Sequence, residues 1–207
     1  SKDGTIVAIG GFGNDGNGNN SGHVRIYKYA TQTTSNLLGS ATADSNGDFT
    51  ITSSTLSEGD YSLTTTATDA SGNTSSASST LSFTVDTTAP TITNVTASTA
   101  DGLYKKDDTI TITVSLSEAV DVTGTPTLTL GTGNDATYSS GSGSDTLTFT
   151  YTVQAGDTTS DLDFNATDSL SGTLKDTALN NATLTLVTPG ASGSLAANKA
   201  LVLDTTS

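Results

Sequence analysis

The side chains able to do chemistry in this chain are almost all carboxylates. Its 207 residues hold 21 Asp and Glu against 7 Lys and Arg, a formal net charge of -14. Nearly all the acid is Asp, with Glu only at Glu58 and Glu118. His23 is the single histidine and cysteine is absent. A His-based triad or acid–base scheme would therefore rest on one residue, and neither a thiol nucleophile nor a Cys-based zinc site can be built. Gly10-Gly11-Phe12-Gly13 has the composition of a phosphate cradle, but no Lys-Ser or Lys-Thr follows it and no helix is predicted after it. Paired carboxylates serve glycosidases, yet Glu58 and Glu118 fall in different predicted modules and few aromatics are at hand for a sugar. What Asp, Asn and backbone carbonyls do well is bind a hard cation, calcium above all.

The same charge sets limits on partners. Such a field repels nucleic acid and anionic membrane surfaces, and it keeps a β-rich surface soluble even where no ion binds. No run approaches the ~18 apolar residues of a membrane-spanning helix. The chain opens at Ser1 without an apolar leader, as a mature fragment would.

The carboxylates have to be positioned by β-strands. Thr, abundant here, is β-branched and suits the solvent face of a strand. Period-2 alternation recurs at 24–29, 49–53, 61–68, 81–85, 109–116, 125–130, 146–153, 182–187 and 200–203. In the fifth of these, Ile110, Ile112 and Val114 face one way and Thr109, Thr111 and Thr113 the other. Gly, Asn, Asp and Ser clusters separate the runs, as turns require, and no stretch has a helical period. Many short strands with regular turns predict an all-β sandwich.

Two echoes divide the chain. Val85-Asp86-Thr87-Thr88 ends one alternating run and Leu203-Asp204-Thr205-Thr206 ends another. Upstream of each, Asp69 precedes Asn73 as Asp176 precedes Asn180. Modules are expected at 1–87 and 88–204, with 205–207 entering a neighbour. Pro90, which lacks an N–H, stiffens the junction. In the first module, 5–9 and 24–29 flank the Gly/Asn loop 10–22 and are expected to pair as a hairpin. At this length the module is short of an edge strand, which a neighbouring segment or subunit would complete by strand addition.

Sandwich geometry then selects a site. The first strand starts at the end carrying the second-to-third and penultimate-to-last strand turns. The junction should bring Asp86 near a turn at Ser117-Glu118-Ala119 and near Asp176. Three converging carboxylates repel one another without a cation, so Asp86, Glu118 and Asp176 are the predicted calcium ligands. By the same geometry Asp69 and Asp204 are half-sites facing a preceding and a following module. The competing reading makes Asp69 and Asp176 simple Asx-turn residues. The 14–19 loop, Asn14-Asp15-Gly16-Asn17-Gly18-Asn19, alternates oxygen ligands with Gly but lacks the bidentate Glu of an EF-hand. Asp101, Asp107 and Asp108 flank Tyr104-Lys105-Lys106, where local ion pairing accounts for them. Asn-X-Ser/Thr triplets begin at Asn19, Asn73, Asn94, Asn165 and Asn181, as chance supplies in such a composition.

Residues 37–90 resemble the bacterial immunoglobulin-like repeats of giant adhesins and biofilm-associated proteins. The matching stretches are Leu38-Gly39-Ser40-Ala41-Thr42-Ala43-Asp44, Asn46-Gly47-Asp48-Phe49, Glu58-Gly59-Asp60-Tyr61, Ala67-Thr68-Asp69-Ala70-Ser71-Gly72-Asn73 and Val85-Asp86-Thr87-Thr88-Ala89-Pro90. Residues 91–204 look like another surface repeat, that of the large cyanobacterial swimming-motility surface protein. Ser98-Thr99-Ala100-Asp101-Gly102-Leu103-Tyr104, Phe149-Thr150-Tyr151-Thr152-Val153-Gln154-Ala155-Gly156-Asp157 and Ala197-Asn198-Lys199-Ala200 carry that likeness, and Asp107 stands where Gly is usual. Residues 3–27 look like a propeller-type surface repeat, although one repeat cannot close a propeller.

The resemblance implies tandem immunoglobulin-like sandwiches, a secreted or cell-surface location and no enzymatic activity. It also implies calcium at the linkers, most directly at Asp86. The expected role is a calcium-stiffened spacer or filament building block whose partners are neighbouring modules. The alternatives are a glycan- or protein-binding module around Phe12, Tyr27, Tyr29 or Tyr104, and an accessory domain of a secreted hydrolase. The Thr rows also permit an ice-binding face.

Overall fold

A computed structural model describes residues 7–11, 23–29 and 35–206, with the side chains of 25 and 36–206. The chain forms two compact units, Ser1–Thr88 and Ala89–Ser207.

In the first unit, β1 (Val7–Gly11) pairs with β4 (Asp48–Thr52) as a two-stranded antiparallel sheet. A four-stranded antiparallel sheet follows the order β3 (Ser35–Thr42), β2 (His23–Tyr29), β5 (Gly59–Thr68), β6 (Leu81–Val85). The expected hairpin between 5–9 and 24–29 does not form. Instead β1 crosses to β4, from Val7↔Thr52 to Gly11↔Asp48, and β2 lies between β3 and β5. The reason lies in β4, whose Phe49 and Ile51 alternate inward. Among the described residues β1 is its only ladder partner. Phe49, Ile51 and Leu63 form one core cluster, and Leu56, Tyr61 and Val85 a second; Leu38 and Phe83 pack against both. Tyr61 stacks on Phe83 with ring centroids 5.5 Å apart.

Along the rest of β5 the edge is covered without a strand. Ser75 N–H donates to Ala67 O at 2.8 Å and Ser78 N–H to Thr65 O at 2.9 Å. In return the Ala67 and Thr65 N–H groups donate to the hydroxyls of Ser75 and Ser78, each at 3.0 Å. Two serine hydroxyls thus replace the carbonyls of an absent neighbour. The 14–19 loop, Phe12 and the side chains of His23, Tyr27 and Tyr29 lie outside the described residues.

The second unit has a five-stranded sheet built on β9 (Thr109–Thr129). β7 (Ile92–Ala97) and β11 (Ser144–Thr152) pair with its first half; β13 (Leu170–Lys175) and β10 (Asp135–Ser140) pair with its second. A three-stranded sheet has β14 (Leu201–Asp204) between β12 (Thr158–Thr159) and β8 (Gly102–Tyr104), with β14 and β8 parallel. Ile110, Ile112, Val114, Leu128, Leu147, Phe149, Phe164 and Leu201 anchor a single continuous core.

Two expectations need correction. The runs 109–116 and 125–130 are one 21-residue strand, and Ser117-Glu118-Ala119 is strand rather than turn. The inward phase continues through Leu116, Glu118 and Val120 to Pro126 and Leu128, although the register shifts between Ser115 and Val120 and again around Gly124, at φ 78°. The run 182–187 is not a strand. It makes single backbone hydrogen bonds to β13 and to two connecting segments: Ala182 N–H to Leu174 O, Thr183 N–H to Pro90 O and Leu186 N–H to Thr167 O. One helical turn, α1 (Leu195–Asn198), is capped by Ser194, whose hydroxyl accepts Ala197 N–H at 3.2 Å. Apart from α1, the regular structure among the described residues is β throughout.

Candidate metal centre

Two acidic side chains share the inward phase of neighbouring strands in the second unit. Glu118 follows Leu116 and precedes Val120 on the core side of β9, and it is half-buried. Lys175, the last residue of β13, pairs with Asp121. Asp176 comes next and is 2% exposed. Residues offset by two on adjacent strands are diagonal neighbours within reach of long side chains. Here the two carboxylates approach within 4.8 Å, oxygen to oxygen. At an effective dielectric of 20, two such charges repel by about 3–4 kcal/mol.

Asp176 is held by its own turn. Its N–H donates to Asn180 O at 3.2 Å and its carbonyl accepts Leu179 N–H at 3.1 Å. Its Oδ1 accepts Asn180 N–H and its Oδ2 accepts Asn180 Nδ2, both at 2.8 Å. Each oxygen keeps a further lone pair, so a hydrogen-bonded carboxylate still has room for a cation. The donor set fits calcium, which takes about 6–8 oxygens; two carboxylates supply only part of that shell.

The chain enters this unit beside Glu118. Thr91 N–H donates to Ser117 Oγ at 3.0 Å, and Ser117 N–H donates to Thr91 O at 2.9 Å. Asp86 belongs to the first unit, directly after β6, and its Oδ1 accepts Thr88 N–H at 3.0 Å.

Asp69 closes a turn of the same design as that of Asp176. Asn73 N–H donates to Asp69 Oδ1 and Asn73 Nδ2 to Oδ2, both at 2.8 Å. The Asn73 side chain, foremost, holds the Asp69 carboxyl below its ordinary pKa. Asp204 ends β14 and accepts both the N–H and the hydroxyl of Thr206, the hydroxyl doing most to lower its pKa. The Asx-turn reading thus describes both Asp69 and Asp176, and for Asp176 it coexists with the neighbouring Glu118.

The acids around Tyr104-Lys105-Lys106, expected to pair locally, do so only in part, since Asp101 finds its partner far along the chain. Lys106 pairs with Asp107 at 2.9 Å and Lys199 with Asp101 at 3.1 Å. Asp107 sits at φ 71°, a conformation that favours glycine and that Asp tolerates. Tyr104 donates its hydroxyl to Ala100 O.

Sequence reasoning missed two buried or half-buried anchors. Asp157, 4% exposed, accepts the Tyr151 hydroxyl, Gln154 N–H at 2.7 Å and Asn134 Nδ2 at 2.9 Å. Burial, foremost, and the adjacent Asp157 push the Tyr151 phenol pKa up. Asp163 accepts backbone N–H groups from Phe164 (2.9 Å), Gly190 (2.8 Å) and Leu195 (3.2 Å), tying the 188–195 segment down.

Residues 16–87 match the family described as Bacterial Ig-like domain. Among solved structures, the Biofilm associated protein BSP domain is similar at 15% identity and a TM-score of 0.29. That alignment covers 100% of this chain and 28% of the other. No curated protein matches the chain in sequence. From residue 16 to residue 87, then, this all-β chain matches the bacterial immunoglobulin-like domain family.

Proposed function

We propose that the chain is a non-enzymatic structural segment of a bacterial cell-surface or secreted protein, a spacer whose link is stiffened by calcium. The observation that carries the calcium reading is the Glu118–Asp176 pair, one on the inward face of β9 and the other in the turn after β13, with oxygens within 4.8 Å. A divalent cation converts their repulsion into attraction. Asp86 is the third ligand in this reading. Four residues separate it from Thr91, which is bonded to the neighbour of Glu118, and the five steps between them span at most about 17 Å. Asp69 and Asp204 take the corresponding roles at the outer ends, with neighbouring units supplying the other ligands. The match of residues 16–87 to bacterial immunoglobulin-like domains supports the surface setting.

The test is thermal unfolding of the intact chain in millimolar calcium and in excess EDTA, beside an Asp86→Ala variant. Ligand binding to the folded state alone raises stability by RT ln(1 + [L]/Kd). At ten to a hundred times Kd that is about 1.4–2.7 kcal/mol, or several degrees in Tm. The expected result is such a rise, with most of it lost in the variant. Superimposable curves with and without calcium would remove the metal from the proposal.

A further inference from the structure

The last strand of each unit leaves its sheet through the same three residue types. Asp86 Oδ1 accepts Thr88 N–H at 3.0 Å, and Asp204 Oδ1 accepts Thr206 N–H at 2.9 Å. In both places threonine hydroxyls reach back to the turn that opens the ladder partner. Thr88 and Thr87 donate to Glu58 Oε2 at 2.5 and 3.3 Å, one residue before β5. Thr205 Oγ1 donates to Asp157 O at 2.9 Å and accepts Gly156 N–H at 3.0 Å, directly before β12. The terminal rungs are Gly59↔Val85 and Thr158↔Asp204. Each clasp therefore lies just outside the last rung, on the side from which a pull on the departing chain arrives.

The two clasps stand on different ground. Glu58 is an exposed side chain. Thr205 grips backbone, and that backbone is pinned from below by the buried Asp157 carboxylate with Tyr151, Gln154 and Asn134. The ladder behind it is short: β12 and β14 share two rungs, Thr158↔Asp204 and Thr159↔Leu203. On its other side β14 keeps three parallel rungs to β8, which end at Leu203, so the outermost rung a load on the exit meets is Thr158↔Asp204 on the β12 side.

We propose that Thr205 is a force-bearing latch, a positioning residue that transfers tension from the departing chain to the buried Asp157–Tyr151 network. This rests on the spacer reading above, but not on calcium. The experiment is to stretch the intact chain by its two ends at constant force in EDTA, comparing Thr205→Val and Thr205→Ser. Two hydrogen bonds are lost in the valine variant. The second unit should then give way about tenfold sooner, the first unit's step being an unchanged internal reference. Serine, which keeps the hydroxyl, should restore the lifetime.

A second pulling geometry separates a latch from ordinary stability. With the load applied between the N-terminus and a cysteine introduced by Asp145→Cys, at an exposed site in β11, the exit is bypassed. Thr205→Val should then leave the lifetime unchanged. Equal shortening in both geometries, no shortening in the first, or a serine variant as weak as valine would each overturn the latch. Because calcium is absent throughout, none of these results bears on the metal, which the melting experiment decides.

Discussion

Leu179 occupies, in the turn after β13, the left-handed position that Gly72 occupies in the turn after β5. Their φ angles are 71° and 89°, and the two turns share the same Asp–Asn hydrogen bonds. Leucine in this conformation costs roughly 1–2 kcal/mol, part of which glycine gives back through the entropy of the unfolded chain. Leu179 is 61% exposed, so little burial is lost on its removal. Leu179→Gly should stabilise the second unit by about 0.5–1 kcal/mol, read as a higher denaturant midpoint at unchanged m-value.

Gly141 and Gly133 separate steric from conformational cost. Both have positive φ, 115° and 87°. A Cβ on Gly141 would sit 2.3 Å from Thr146 O, whereas one on Gly133 meets nothing within 4 Å. Gly133→Ala should cost about 1 kcal/mol, the left-handed penalty alone. Gly141→Ala should cost about 3 kcal/mol or more, because backbone has to move. Equal denaturant midpoints for the two variants would contradict the close approach at Gly141.

Acid and alkali should act on the second unit through different groups. The Ala200 N–H, foremost, and the Lys199 ammonium hold the Asp101 carboxyl below its ordinary 3.8. A lowered folded pKa gives stability that is present above the unfolded value and lost as pH falls through the folded one. Stability should therefore decline below about pH 4, with a shallower decline in Asp101→Asn. Tyr151 is the reverse case, raised above 10.0. Its contribution is complete below that value and lost as pH rises through the folded pKa. Tyr151→Phe should abolish that alkaline slope. At neutral pH it should cost about 1.5–3 kcal/mol, since it removes a donor to a charged, buried Asp157. Denaturant titrations across a pH series measure both limbs.

The serine cover on β5 should be visible by hydrogen exchange. Thr65 and Ala67 N–H groups end on the hydroxyls of Ser78 and Ser75. In a Ser75→Ala, Ser78→Ala chain those two amides should exchange at least tenfold faster. Ser62 and Leu63, further along β5 and paired with Ser82 and Leu81, should keep their protection. Unaltered exchange at Thr65 and Ala67 would mean that the hydroxyls do not guard this edge.

Strand existence was readable along most runs in which apolar and Thr residues alternate, because the period is a local property of the chain; 182–187 alternates as well and forms no strand. The spacing of Asp69 to Asn73 and of Asp176 to Asn180 likewise encodes one turn with one set of hydrogen bonds. Pairing was less readable. That β1 joins β4 rather than β2 depends on Phe49 and Ile51, some forty residues distant. The continuity of β9 was hidden because alternation looks the same in one strand as in two, and Ser117 with Ala119 resembled a turn. Reading the phase through Glu118 would have placed that carboxylate inward. Asp157 was invisible for another reason: its burial comes from Tyr151 and Asn134, and its own neighbours in sequence give no sign of it.

The length of β9 has a consequence for how the second unit can be cut. Four other strands, β7, β10, β11 and β13, hang from this one spine. A fragment ending anywhere within it strands partners on both sides, so no half of this unit is a smaller version of the whole. A cut inside β9 therefore does not trim an edge of the sheet but takes away the strand that its other members share.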